Sequence, residues 1–259
     1  MNLQENDGQD FQIRTNLSRG AGTVSEGNRL VFNSIQEGED HEAGNLKAQQ
    51  IIRVLEIVRP RAGVADIGCH NGVYTAMYAQ VKGVEAIEGF DVADKALEAA
   101  RGRGLRAFLW NAGMEPCPAE TERYDVLIAG DVIEHIVDTE FFVTEMRRIL
   151  KPSGHVILTT PNLYYWLSRL KFLLAKTPWN YPGVSSQFKA NRNINTEHIR
   201  VNGIGEWSAF FEARGFKVVR TQGLTWVPPT TLKSRIIHLI DMLMPKNASC
   251  LTLFLLQKM

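Results

Sequence analysis

The amino-acid sequence predicts an α/β protein built around a doubly wound, mainly parallel sheet. Two apolar segments, Tyr124 to Gly130 and His155 to Thr160, are continuous, as is typical of strands buried on both faces. Segments with apolar residues at helical spacing alternate with such strands along the chain. Polar residues follow several strands, at the edge where sheets of this kind bind ligands. We therefore expect a ligand site along the carboxyl ends of the strands.

Composition and charge narrow the class of protein. The chain has 259 residues, 44% of them hydrophobic, which is enough for a sizeable core. A net charge of +1 gives no electrostatic reason to expect nucleic-acid binding. The start, MNLQENDGQD, is neither basic nor apolar, and no apolar stretch reaches the roughly 20 residues that span a bilayer. The three scattered cysteines, Cys69, Cys117 and Cys250, are predicted to be reduced thiols of a cytoplasmic protein.

Residues 1–44 are predicted to form an N-terminal arm that is partly disordered. This segment is polar, with eight acidic residues against three basic ones. An apolar cluster, Leu30 to Ile35, suggests that its later part packs on the body of the protein. Residues 45–259 are expected to form the main domain.

The elements of that domain follow from local patterns. From Asn45 to Arg59, apolar residues recur at helical spacing, and Pro60 ends this helix. Helical spacing recurs in five later segments, and apolar runs between turn residues predict the strands. In chain order these are strand 84–90, helix 93–101, strand 105–110, strand 124–130, helix 141–150, strand 155–160, helix 163–176, helix 205–214, strand 215–223, helix 232–244 and strand 250–258.

The segment Val64 to Tyr74, VADIGCHNGVY, reads as a strand, a tight turn and a helix start. Gly68 and Gly72 lack the Cβ that would keep a ligand away from the backbone of this turn. Asp91 ends the next strand, 19 residues after Gly72, near the spacing at which a carboxylate holds ribose hydroxyls. The two features together predict a cofactor that contains adenosine.

The spacing of the glycines favours one such cofactor. A dinucleotide site needs the pattern GxGxxG, whereas this loop reads G-C-H-N-G with His70 at its centre. Asp66, two residues before Gly68, would repel a pyrophosphate but suits a ligand that carries an ammonium and a sulfonium group. S-adenosylmethionine is therefore favoured over NAD, and an NAD-linked enzyme is disfavoured.

The loop resembles the first motif, DxGxGxG, of the class I S-adenosylmethionine-dependent methyltransferases, although His70 departs from it. FLWNAG (108–113), YDVLIAGDVIEHI (124–136) and LKPSGHVILTTPN (150–162) resemble later motifs in the right order. The resemblance implies a Rossmann-like, seven-stranded sheet with an antiparallel last strand. It also implies that the glycine loop holds the methionine part of the cofactor, Asp91 the ribose and Asn111 the adenine. The implied cofactor-binding residues are Asp66, Gly68, Cys69, His70, Gly72, Asp91, Val92, Asn111, Ala112 and Asp131.

Four candidate residues have structural alternatives. Cys69 is interpreted as a small turn residue rather than a nucleophile. Asn111 is equally well explained as a turn residue that bonds its own backbone. His135 and His198 are the candidate acid/base residues, because imidazole titrates near neutral pH. A helix-start residue packed on the sheet also explains His135, and a capping box at Thr196 or a surface loop also explains His198.

Asp131, Glu134 and His135 form a D-x-x-E-H cluster. It is similar to the E-x-x-E-H of ubiquinone-biosynthesis O-methyltransferases and small-RNA 2′-O-methyltransferases, in which a divalent cation is held. Two carboxylates and an imidazole suit Mg²⁺ or Mn²⁺, but the shorter Asp131 changes the geometry. The prediction therefore includes no metal, and the sequence leaves this hypothesis open.

Residues 163–200 are expected to form a small helical cap over the acceptor. This insertion is rich in aromatic residues and carries six basic residues against one acidic residue. Apolar stripes with interleaved basic residues in 163–176 and 232–244 predict either packing on the sheet or a peripheral membrane contact. We expect O-methylation of a small or lipid-linked acceptor, such as a saccharide, a glycolipid or a quinone. A protein or nucleic-acid acceptor and a non-catalytic, methyltransferase-like subunit are the alternatives.

Overall fold

The computed structural model of the chain describes residues 42–60, 63–178, 198–225 and 227–259. Its strands are β1 (Gly63–Ile67), β2 (Ala86–Asp91), β3 (Arg106–Leu109), β4 (Tyr124–Gly130), β5 (Leu150–Pro161), β6 (Phe216–Leu224) and β7 (Leu251–Lys258). Its helices are α1 (Glu42–Val58), α2 (Val73–Tyr78), α3 (Asp94–Gly102), α4 (Thr139–Ile149), α5 (Trp166–Leu173), α6 (Ile204–Ala213) and α7 (Leu232–Leu243). Ile133–His135 and Lys246–Ala248 are 3₁₀ turns.

The seven strands form one sheet in the order β3-β2-β1-β4-β5-β7-β6. Strands β1 to β5 pair in parallel, and β7 lies antiparallel between β5 and β6. This confirms the predicted mainly parallel sheet and the antiparallel last strand. Because β1 pairs with both β2 and β4, the strand order reverses beside it. A doubly wound sheet opens a ligand crevice at such a point.

Two apolar clusters cover the two faces of the sheet. Successive strand residues alternate between them, so Leu127 belongs to one cluster and Val126 to the other. The first cluster includes Trp110 and Phe142, and the second joins the sheet to α1 through Ile51. Each large apolar side chain buried in this way contributes about 1.5–3 kcal/mol. The strand ends therefore project from a rigid core.

Most element boundaries shift by one or two residues from the expected ones, and three of them differ more. Helix α1 begins at Glu42, so it takes in the last residues of the predicted arm. Strand β5 begins at Leu150, because Leu150 already pairs with Tyr124 of β4. The register then shifts, so that Val126 pairs with His155. Helix α5 covers only Trp166–Leu173 of the predicted 163–176. The arm before residue 42 and the cap residues 179–197 lie outside the described residues. Among the residues the structure does describe, no helix is both long and apolar enough to span a membrane.

Candidate functional site

The glycine loop after β1 turns through left-handed backbone at alternate residues. Gly68 and Gly72 have φ of 78° and 79°, and His70 between them has φ of 47°. A Cβ at Gly72 would lie 2.4 Å from Leu105 Cδ1, and one at Gly68 would lie 2.5 Å from Val132 Cγ2. Both positions therefore require glycine. His70 adopts the conformation that the family pattern assigns to glycine, at a cost of about 1–2 kcal/mol.

Asp91, at the end of β2, holds this loop against the next one. Its Oδ2 accepts the His70 N–H at 2.8 Å, and its Oδ1 accepts the Ala93 N–H at 2.8 Å. Burial raises the pKa of Asp91, and the N–H groups of Ala93, His70 and Val92 oppose that rise. Gly68 and Cys69 in turn donate their N–H groups to the Phe90 carbonyl. The ends of β1 and β2 thus form one hydrogen-bonded unit.

Asp66, near the end of β1, is a buried carboxylate with a local partner. The Thr75 hydroxyl, on α2, donates to Asp66 Oδ2 at 2.5 Å. Burial raises the pKa of Asp66 to about 7, although the Thr75 hydrogen bond and the charge on Lys47 act in the other direction. Asp66 therefore gains or loses its proton near neutral pH, and a cation bound beside it would favour the ionised form.

Cys69 follows β1 and Asn111 follows β3, at the same edge of the sheet. Cys69 is buried, and a Cβ at Gly89 would lie 2.7 Å from its sulfur. Burial raises the pKa of the Cys69 thiol far above its usual range, which supports the interpretation as a packed turn residue. The backbone of Asn111 donates to Glu115 Oε1 at 3.0 Å and accepts from Met114. Asn111 therefore does begin a turn, followed by Ala112, and its contact with adenine stays a prediction.

Asp131 directly follows β4 and pairs with a lysine that the sequence did not suggest. Its Oδ2 lies 2.7 Å from Lys47 Nζ, and its Oδ1 accepts from the Thr159 hydroxyl at 2.6 Å. Burial by itself would raise the pKa of Asp131, but the charge and hydrogen bond of Lys47 lower it. The backbone of Asp131 is left-handed, with φ of 58°. Non-glycine residues in this conformation often mark functional sites.

Glu134, His135 and His198 come together beside this pair. Their potential ligand atoms all lie within 4.8 Å of one another. Glu134 is fully buried, and its Oε1 has no hydrogen-bond partner among the described residues, with His198 Nε2 4.0 Å away. The rings of His135 and His198 lie 4.9 Å apart. Burial, reinforced by the charge on Asp131, raises the pKa of Glu134 well above its usual range.

His198 is only 5% exposed, so the expectation of a surface loop is wrong. The N–H groups of Ile199 and Arg200 both donate to the Glu134 carbonyl, at 2.9 and 3.2 Å. The Arg200 guanidinium donates to the carbonyls of Ile136 and Val137. These bonds fasten the segment after His198 to the turn that carries Glu134 and His135.

The metal hypothesis stays a prediction, and the structure brings a different third residue into the group. The sequence grouped Asp131 with Glu134 and His135, whereas the structure groups His198 with those two. Asp131 lies outside this group, and its two oxygens contact Lys47 and Thr159. His135 sits in a half-buried 3₁₀ turn rather than at a helix start.

Residues 40–221 match a family model described as "Methyltransferase domain". A ubiquinone biosynthesis O-methyltransferase from Leptothrix cholodnii is 27% identical over 173 residues, which cover 64% of this chain and 69% of that protein. One of the same name from Cereibacter sphaeroides is 35% identical over 101 residues, 38% of this chain. The match spans 40% of that relative's length.

The fold also matches solved structures. A S-adenosylmethionine dependent methyltransferase from Mesorhizobium loti superposes with a TM-score of 0.58 at 16% identity, over 82% of this chain and 98% of that one. At this identity the likeness concerns the fold.

Proposed function

The chain belongs to the methyltransferase domain family and uses S-adenosylmethionine, and from this premise we propose that it methylates an oxygen atom of a small or lipid-linked molecule. The observation that carries the proposal is the buried group of Glu134, His135 and His198 at the carboxyl end of β4. A carboxylate beside two imidazoles is equipped to take a proton from a hydroxyl group. A methyl transfer to oxygen needs that step.

The residues at the ends of β1, β2 and β3, which we call the cofactor half of the site, suit the methyl donor. Asp66 offers a carboxylate to the ammonium of the methionine part, and the loop from Gly68 through Cys69 and His70 to Gly72 lets this part approach the backbone. Asp91 and Val92 lie where ribose hydroxyls would be held. Asn111 and Ala112 follow β3 on the adenine side. The cofactor's adenosine would then lie across β2 and β3, and its sulfonium would point toward β4 and Asp131.

The residues after β4 together with His198, which we call the acceptor half of the site, position the acceptor and supply a base. Methyl transfer from a sulfonium is an in-line displacement, so the protein mainly aligns the acceptor and removes its proton. We assign the first proton transfer to His135, because it is half-buried whereas His198 is almost fully enclosed. His198 and Glu134 lie behind it, and the imidazolium that forms favours the ionised form of Glu134, which in turn stabilises that cation. In this assignment Asp131 stays paired with Lys47 and takes no proton from the acceptor, so it acts on the site through its charge.

The same three residues fit a divalent cation. One carboxylate and two imidazoles form a suitable donor set, and the Glu134 Oε1 without a partner is an atom that such an ion would satisfy. Glu134, His135 and His198 would hold the ion. When bound, it would lower the pKa of an acceptor hydroxyl. In either form the acceptor is an oxygen nucleophile.

The test is a screen of catechol, phenol and saccharide acceptors by mass gain of one methyl group, with His135→Asn and Glu134→Gln. We expect kcat to fall roughly 100-fold or more in both variants, while calorimetric binding of S-adenosylmethionine is retained. His155→Asn is the matched control, because His155 lies in β5 and pairs with Gln257, away from the cluster. Exhaustive chelation distinguishes the two forms: lost activity that Mg²⁺ restores indicates a metal, and unchanged activity indicates a base alone.

Four outcomes would contradict the proposal. Methylation that persists in His135→Asn and Glu134→Gln would remove the cluster from the reaction. A methyl group found on nitrogen or carbon would overturn O-methylation. Wild-type protein that binds no S-adenosylmethionine would favour the non-catalytic subunit instead, and methylation of protein or nucleic acid alone would favour the other alternative.

A further inference from the structure

Helix α7 turns a row of apolar side chains outward. Leu232, Ile236, Leu239 and Leu243 follow one another at spacings of four, three and four residues, so they share one face. They are 77%, 53%, 59% and 74% exposed. Single exposed apolar residues are ordinary on protein surfaces, but a continuous row marks an interaction surface. We call this row the α7 stripe.

The helix is held firmly in this orientation. Asp241, two positions away from both Leu239 and Leu243, is buried on the other face. It accepts hydrogen bonds from Trp166 Nε1 at 2.6 Å and from the Thr225 hydroxyl at 2.7 Å. At its start, Thr231 and Ser234 form a reciprocal capping box. The outward direction of the α7 stripe is therefore fixed by polar bonds on the opposite face.

A second exposed apolar segment is joined to α7 at the same point. Trp166 begins α5 and donates to Asp241, and the other end of α5 exposes Leu170 and Leu173. Leu173 is 83% exposed, and Leu174 just beyond the helix is 59% exposed. Two neighbouring helices thus leave their apolar side chains uncovered by the described residues.

Apart from the buried Asp241, the charged residues of these two helices are all basic. Lys233 and Arg235 flank the α7 stripe, and both are exposed. In and just after α5, the charged residues are Arg169, Lys171 and Lys176. Asp241 is the one acidic residue in either helix, and it is buried. An apolar surface surrounded by cations is complementary to an anionic lipid bilayer.

We propose that the α7 stripe and the end of α5 dock on an anionic lipid bilayer, with the apolar side chains at the level of the head groups. The amphipathic pattern is that of helices that lie in a membrane interface. Pairing with a second copy is disfavoured, because both copies would bring the same basic residues to the contact and neither helix has an exposed acidic residue to pair with them. Membrane docking is a separate property from the proposed methyl transfer, and it does not depend on which acceptor is methylated.

The test is co-sedimentation of the full chain with vesicles. We expect binding to vesicles of phosphatidylcholine mixed with phosphatidylglycerol, weakened by salt, and little binding to phosphatidylcholine alone. The double variant Ile236→Glu/Leu239→Glu should bind at least tenfold more weakly, since it removes apolar contact and adds negative charge. Lys233→Glu/Arg235→Glu should bind about 25-fold more weakly, because each basic residue near such a surface contributes about fivefold.

Matched controls lie on α1. Ile57→Glu changes another apolar residue that is 62% exposed, and Arg53→Glu reverses another exposed basic residue. Both should bind vesicles as the wild type does, and circular dichroism should show that all variants are folded. Equal binding to neutral and anionic vesicles, no binding to either, or unaffected α7 variants would overturn the proposal. So would a concentration-dependent dimer that Ile236→Glu/Leu239→Glu dissolves, since the surface would then belong to a second copy.

Discussion

The two halves of the strand edge are assembled differently. In the cofactor half, Asp91 binds the N–H groups of His70 and Ala93, and Asp66 binds Thr75, nine residues further along. In the acceptor half, Asp131 pairs with Lys47, which is 84 residues away. His198 reaches Glu134 from the last residues of the predicted cap. The cofactor half is thus built by neighbours, and the acceptor half by distant segments.

The difference also concerns how buried charge is compensated. In the cofactor half, backbone N–H groups and a hydroxyl donate hydrogen bonds to the carboxylates. These bonds form when the loop itself folds, so no distant charged residue is needed. In the acceptor half, a full positive charge on α1 balances Asp131. An ion pair of this kind couples the site to the docking of a whole helix. We therefore expect changes in the acceptor half to disturb stability, and changes in the cofactor half to disturb binding.

The largest effect is expected at the ion pair. Lys47→Met keeps the length of the side chain but leaves Asp131 buried without its cation, because both side chains are mostly enclosed. Removing one partner of a buried pair costs about 3–5 kcal/mol. Urea unfolding should show this loss in the free energy of unfolding.

The double variant Lys47→Met/Asp131→Asn is the matched control for that loss. It removes both charges, so most of the stability should return. A double variant as unstable as Lys47→Met would mean that Lys47 acts through its other contacts, and the proposed coupling of α1 to the site would be wrong.

A smaller effect is expected at Asp91, and on binding. Asp91→Ala removes the carboxylate expected to hold the ribose, and hydrogen bonds to a charged group contribute about 1.5–3 kcal/mol each. Calorimetry should show S-adenosylmethionine binding weakened roughly 100-fold. Glu98→Ala, which removes an exposed carboxylate from α3, should bind normally. Unchanged affinity in Asp91→Ala would place the ribose elsewhere.

The same contrast explains how far the sequence could predict the site. The glycine loop and Asp91 are recognisable because their partners lie close in sequence and each glycine is required by its own turn. Lys47 was missed because the apolar pattern of α1, from Leu46 to Val58, says which side packs on the sheet. It does not say that a lysine beside that pattern reaches a strand end.

Two further features could not be predicted from local patterns in the sequence. The burial of His198 depends on the Arg200 anchor to carbonyls more than 60 residues away. The α7 pattern predicted an amphipathic helix, but a lone aspartate on such a helix normally suggests a solvent-exposed face. Only the packing of α5 against α7 shows that Asp241 points inward and the apolar residues outward.

The smallest predicted effect is a dependence on pH that belongs to Asp66 in the cofactor half. Burial raises the pKa of Asp66 from 3.8 to about 7. The cofactor's ammonium binds the ionised carboxylate, so below that pKa binding must expel a proton. Calorimetry should show the affinity for S-adenosylmethionine falling about tenfold for each pH unit below 7.

The free energy of unfolding of the cofactor-free protein should respond with the opposite sign. The raised pKa of Asp66 means that the folded state prefers the protonated carboxyl, so this contribution is present below pH 3.8 and is lost as the pH rises to about 7. Asp66→Asn should flatten both slopes, because the amide does not titrate, whereas a general effect of acid on the fold would change both in the same direction. A wild-type affinity that stays constant between pH 5 and 7 would show that Asp66 does not bind the cofactor's ammonium and serves instead as the acceptor for the Thr75 hydroxyl.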